Sequence, residues 1–190
     1  MGLRRDRSVF CVTPGFLLLA AALYFVSGGA ALTAFFTAAL AHELGHLLAI
    51  WLTGAAIYRV RLTAAGLVIE YGGLLTRRQE MGIVAAGPVA GLLFALGCFL
   101  ADMPYFRYAG AIALLAAAFN LLPVPPLDGG RLARFALTAA LPEKSAAVLL
   151  RGIGSVCSCC VALTGVWLRT PAAVGAGVWL LVLANAPDLR

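Results

Sequence analysis

Ala31-Leu-Thr-Ala-Phe-Phe-Thr-Ala-Ala-Leu-Ala-His42-Glu43-Leu44-Gly45-His46-Leu-Leu-Ala-Ile-Trp-Leu52 runs for 22 residues with two histidines and one glutamate as its only ionisable groups. As a helix rising about 1.5 Å per residue it would cover roughly 33 Å, enough to cross a hydrocarbon core of about 30 Å. Ionisable groups at that depth are costly, and where they persist they mark function. The rest of the chain has the same texture. Of its 190 residues, 63% are apolar and 12% charged, where a soluble domain carries roughly 45–50% and 25%. A soluble fold of this size could not hide so much apolar surface, so the surplus faces lipid. That excludes a soluble globular enzyme, a disordered chain and a disulfide-stapled secreted domain.

Working outward, further apolar runs cover about Thr13–Gly28, Met81–Leu100, Tyr108–Leu122 and Ala146–Leu168, with a shorter one at Pro171–Ala186. Arg4, Arg5 and the small residues Ser27-Gly-Gly-Ala30 give the first run some likeness to a signal peptide, but its length favours a retained helix. There are no repeats and no long linkers. The expected architecture is an all-α polytopic membrane protein of about six transmembrane helices, a single domain over 1–190. The net charge of +6 comes from 13 arginines and one lysine scattered in short groups. A nucleic-acid face would cluster them on one domain, so no nucleic acid is expected as partner. Their order sets topology instead. Arg4, Arg5 and Arg7 precede the first run; Arg59, Arg61, Arg77 and Arg78 follow the second; Arg131, Arg134 and Lys144 follow the fourth. The alternate loops hold only Arg107 and Arg169, which by the positive-inside rule places both termini in the cytosol.

Between the second and third runs the period changes. Ile57-Tyr-Arg-Val-Arg-Leu-Thr63 alternates, with Tyr58, Val60 and Leu62 opposite Arg59 and Arg61. After Ala64-Ala-Gly66, the residues Leu67, Ile69 and Tyr71 stand opposite Glu70. Two period-2 runs around a Gly-containing turn predict a small β-hairpin.

His42 and His46 are the only histidines, and they stand four apart with Glu43 between them. Random placement would give that spacing about once in a hundred sequences of this length, so it calls for a reason. On a helix, residues i and i+4 share a face, so both imidazoles can meet one zinc ion. Glu43, beside the first of them, can take a proton from an attacking water. Catalytic zinc keeps three protein ligands and an open position, and a carboxylate must supply the third here. Asp6 and Asp188 are terminal and Asp102 sits in a short loop. Asp128 follows Asn120-Leu-Leu-Pro-Val-Pro-Pro-Leu127, where prolines break the helix at membrane depth. The alternative role for Asp128 is the N-cap of the next helix. Cys157, Cys159 and Cys160 cluster in the fifth run without a partner histidine and read as small core residues.

His42-Glu-Leu-Gly-His46 followed by Asn120-Leu-Leu-Pro and Pro126-Leu-Asp-Gly-Gly130 resembles the site-2 protease family of intramembrane zinc metalloproteases. The resemblance covers a catalytic core of about 31–134, leaving two further spans over 146–186. In scale it is similar to the minimal members that process sporulation pro-sigma factors. It implies one Zn2+ per chain held by His42, His46 and Asp128, Glu43 as catalytic base, and Asn120 as a residue that positions substrate or stabilises the oxyanion. Gly87-Pro-Val-Ala-Gly91 matches a third family segment, but many members carry Asn at the position of Gly91. The residues alone read there as small side chains for close helix packing. The hairpin matches in position a β-element beside the family's active site, which implies that an extended substrate adds as a strand against Tyr58, Val60, Leu62, Leu67 and Ile69. The implied partners are a membrane-tethered protein substrate, the lipid bilayer and regulatory membrane proteins. The competing class is a membrane zinc-binding or transport protein without proteolytic activity.

Overall fold

The computed structural model describes residues 10–63, 66–101 and 103–186. Arg4, Arg5, Arg7 and Arg190, with Asp6, Asp102 and Asp188, lie outside the described residues. The elements in order are β1 (Phe10–Val12), α1 (Pro14–Thr53), β2 (Ala56–Thr63), β3 (Gly66–Gly72), α2 (Arg77–Leu100), α3 (Pro104–Asn120), α4 (Asp128–Ala140), α5 (Glu143–Trp167) and α6 (Pro171–Asn185). This is the expected helical architecture with a small sheet. The stretches Gly28–Thr53, Arg77–Leu100 and Glu143–Trp167 are long and apolar enough to cross a membrane, and Pro171–Asn185 is a shorter apolar helix. The chain divides after Leu115 into two compact units.

In the first unit, the two expected N-terminal spans are two helices that follow one another directly within α1 and meet at a kink. No proline or polar loop separates them, so only Gly28 leaves helical geometry, at φ 76° and ψ 174°. Glycine alone takes that conformation without a Cβ penalty. The helix stops at Gly54, whose left-handed φ of 72° lets its N–H reach the last-turn carbonyls. Helix α2 starts on a capping box, in which Thr76 and Gln79 satisfy each other's backbone N–H. Alanines bring α1, α2 and α3 together: Ala34 packs with Cys98 and Ala109, and Ala38 with Ala95 and Ala113. Small residues allow this close backbone approach, the usual basis of helix packing in lipid.

The hairpin of β2 and β3 gains a strand that the sequence reading did not include. Phe10–Val12 pairs parallel with Val60–Leu62, giving the order β1-β2-β3. Thr63 pairs with Gly66, so the connection is 64–65 and Gly66 belongs to β3. Val60 faces Ile69 and Leu62 faces Leu67 across the ladder, as the alternation requires. Tyr58 departs from it. A β-bulge between Ile57 and Arg59 shifts the register. The Tyr58 ring lies against Gly72, where a built Cβ would come 2.9 Å from its Cε2. Gly72 shares the Glu70 side of β3, so Tyr58 leaves the Val60–Leu62 face on which strict alternation put it.

In the second unit, α5 and α6 pack tightly because Gly165 and Gly177 lack side chains. A Cβ on Gly165 would meet Val174 N at 2.5 Å, and one on Gly177 would meet Ala162 Cα at 2.7 Å. Val124, Leu127, Leu180 and Ala184 form this unit's core, with Cys157 partly buried against it. Cys159 and Cys160 are exposed, contrary to their expected core role; Cys159, two positions beyond Cys157, turns off its face.

Candidate metal centre

His42 and His46 lie on α1 one turn apart, both buried. Their Nε2 atoms are 3.2 Å from each other, with the ring planes at 80°. A tetrahedral site with Zn–N of about 2.0–2.1 Å has N···N edges of roughly 3.3 Å, so the pair is already at ligand spacing. His46 Nδ1 is 2.8 Å from the carbonyl of Ile83 on α2. A carbonyl can only accept, so Nδ1 carries the proton and the Nε2 lone pair is presented toward His42. This is the outer-shell bond that fixes the tautomer and orientation of a metal-binding histidine. Pro88 contributes from within α2. It offers no N–H to the Val84 carbonyl, one residue beyond Ile83.

Two glycines make this approach possible. A Cβ on Gly45 would fall 2.6 Å from Ala90 Cβ and 2.9 Å from the Ala86 carbonyl carbon, so the glycine of the His-Glu-Leu-Gly-His motif seats α1 against α2. A Cβ on Gly87 would fall 2.5 Å from His46 Cε1 and 2.7 Å from Cδ2, and closer still to Nε2. Gly87 is therefore the floor under the His46 ring. The sequence reading gave it only a general packing role; its place beside a helix-interior proline was the available signal. Gly91, the departure from the family pattern, is buried in the same helix. Glu43 is half-buried on α1, beside the first histidine.

Asp128 is the first residue of α4, with Leu127 at the N-cap. The cap role considered for Asp128 is thus taken by its neighbour. Its carboxylate is buried, and Arg131 Nη1 stands 3.9 Å away as an i,i+3 ion pair. The two glycines that follow allow α4 to begin against the preceding backbone. A Cβ on Gly129 would fall 2.5 Å from Leu122 O, and one on Gly130 2.5 Å from Val124 C. Asn120 closes α3 half-buried, its Nδ2 donating to the Ala116 carbonyl at 3.1 Å. Val60, Leu62, Leu67 and Ile69 are half-buried and Tyr58 is exposed. Among the described residues, the first unit thus holds two buried imidazoles, His42 and His46, and the second a buried carboxylate, Asp128. Two imidazole nitrogens and a carboxylate oxygen are a zinc donor set that leaves a fourth position.

The chain superposes on the site-2 protease from Methanocaldococcus jannaschii over 100% of its own length and 96% of that chain, with a TM-score of 0.71 at 17% identity. It has the site-2 protease fold. The model of Peptidase family M50 matches residues 100–160, which contain Asn120 and Asp128. Two strains of Mycobacterium tuberculosis carry a protein named as a zinc metalloprotease, Rip3, that is 31% identical over 127 residues. The match takes in 60% of this chain and 32% of Rip3, so the chain spans about a third of the length of these relatives. The sequence resemblance and the site-2 protease fold thus agree.

Proposed function

We propose that this chain is an intramembrane zinc metalloendopeptidase, one integral membrane domain over 1–190 that hydrolyses a peptide bond in or near a transmembrane segment of a membrane-tethered protein. The observation that carries the reading is the His42–His46 pair, set at 3.2 Å with His46 locked through Nδ1 to the Ile83 carbonyl. A histidine pair held in this way, with a buried carboxylate, is preorganised for a metal. His42, His46 and Asp128 would hold the zinc, which when bound polarises the scissile carbonyl and makes a water nucleophilic near neutral pH.

The remaining steps belong to side chains. Glu43 takes the proton of the attacking water and passes it to the leaving amine. Asn120, at the end of α3, positions the substrate or stabilises the oxyanion once its amide turns from Ala116. β2 lies between β1 and β3, so among the described residues β3 presents an unpaired edge on the side away from β2. An extended substrate segment adds there, with alternate side chains against Leu67 and Ile69. The apolar pair Val60 and Leu62 continues that face, and Tyr58 flanks the end of the strand beside Gly72. Both termini face the cytosol, and regulation comes from other membrane proteins. The reading of a zinc-binding or transport protein is weaker, because such a protein needs no carboxylate base adjacent to its ligands.

The test is cleavage of a membrane-tethered reporter by the purified chain in lipid vesicles. Cleavage stops when a chelator removes zinc and returns when zinc is restored. Persistent cleavage after complete metal removal, or zinc flux across the vesicles with no cleavage, would refute the proposal.

A further inference from the structure

The turn between α5 and α6 holds a feature that the proposed chemistry does not use. Helix α5 ends in a Schellman motif, in which Thr170 N–H reaches Gly165 O at 2.9 Å and Arg169 N–H reaches Val166 O at 3.1 Å. The position after the cap is left-handed in such a motif, and glycine is its usual occupant. Here it is Arg169, at φ 53°, the one non-glycine residue with positive φ among the described residues. A long cationic side chain thus stands where local structure favours glycine.

Arg169 lines an open surface groove of about 450 Å³ together with Gly165, Val166, Thr170, Pro171 and Val174. The lining is apolar apart from Arg169 and Thr170. Beside it at the end of α5, Val166 is 62% and Trp167 82% exposed. No ion pair joins Arg169 to a carboxylate among the described residues. An apolar groove lined also by one cation and one hydroxyl, beside the exposed Val166, matches a lipid in both polarity and charge.

We infer that the α5–α6 turn is a binding site for an anionic glycerophospholipid. The phosphodiester pairs with Arg169 and Thr170, and the upper part of an acyl chain fills the groove against Val166, Pro171 and Val174. The site anchors the α5–α6 hairpin at the membrane face where the two helices meet.

The experiment uses the full chain in detergent, titrated separately with phosphatidylglycerol, phosphatidylcholine and inorganic phosphate, with retained ligand counted by native mass spectrometry. The wild type retains phosphatidylglycerol about fivefold over phosphatidylcholine, which is the worth of one basic residue near an anionic surface, roughly 1 kcal/mol. Arg169→Gly suits the left-handed position, so it unfolds at or above the wild-type temperature while the preference falls to parity. Arg169→Lys keeps most of the preference. Val166→Trp fills the groove and lowers phosphatidylglycerol retention with Arg169 intact. Undiminished preference in Arg169→Gly, or retention of inorganic phosphate equal to that of phosphatidylglycerol, would overturn the inference.

Discussion

Gly87→Ala is the smallest change that tests how the site is held. The added methyl would stand 2.5 Å from His46 Cε1 and 2.7 Å from Cδ2, where carbon atoms in contact normally keep about 3.5–4.0 Å. Either the imidazole or α2 must therefore yield by about 1 Å. A ring displaced that far stretches the 2.8 Å bond to Ile83 toward 3.8 Å, roughly beyond hydrogen-bond range. Losing such an outer-shell partner lowers metal affinity about 10–100-fold, or roughly 1.4–2.7 kcal/mol. A 1 Å misplacement of a reacting group costs turnover on the order of 100-fold. Alanine also gains about 1 kcal/mol over glycine in a helix interior, so the variant should stay folded and the defect should be local. Gly82→Ala is the matched control, because a Cβ there meets nothing within 4 Å on the same helix. Competitive zinc titration of the two purified variants is the assay. Wild-type zinc affinity in Gly87→Ala would show that His46 is not held against α2 as described.

Three further outcomes are expected. Asp128→Ala should lose stoichiometric zinc, measured by elemental analysis; if it binds as tightly as wild type, the third ligand is elsewhere. Prolines placed one at a time at Leu67, Val68, Ile69 and Glu70 should slow reporter cleavage wherever the deleted N–H points away from β2, with circular dichroism unchanged; full activity across the scan would remove β3 as the substrate edge. In a cysteine-free background, Leu74→Cys and Arg134→Cys should both label from the cytosolic side, and labelling of either from outside would reverse the topology.

The sequence was most informative where chemistry and periodicity coincide. His42 and His46 at helical spacing in an apolar run already implied a shared face, and the structure adds the 3.2 Å separation. Leu67 and Ile69 were legible as one strand face because alternation there is unbroken. Tyr58 was not, since a bulge inserts a residue without any local sign that the period has shifted. β1 escaped notice because Phe10–Val12 is three residues long and its partner strand is about 50 residues away. The support of the site was hidden for another reason. Gly87 and the Ile83 carbonyl act through what α1 and α2 bring together, and that contact is not written in either helix alone. The join of the first two runs at Gly28 was ambiguous because a glycine pair permits a loop and a kink alike.

Glu43→Gln tests the central claim most directly. The substitution keeps the side chain's size and removes only its ability to take a proton, while His42, His46 and Asp128 remain. The measurement is reporter cleavage and bound zinc on the same purified sample. The account predicts near-stoichiometric zinc with cleavage abolished. Retained cleavage, or loss of the metal along with activity, would contradict the assignment of Glu43 as base beside a site built from the other three residues.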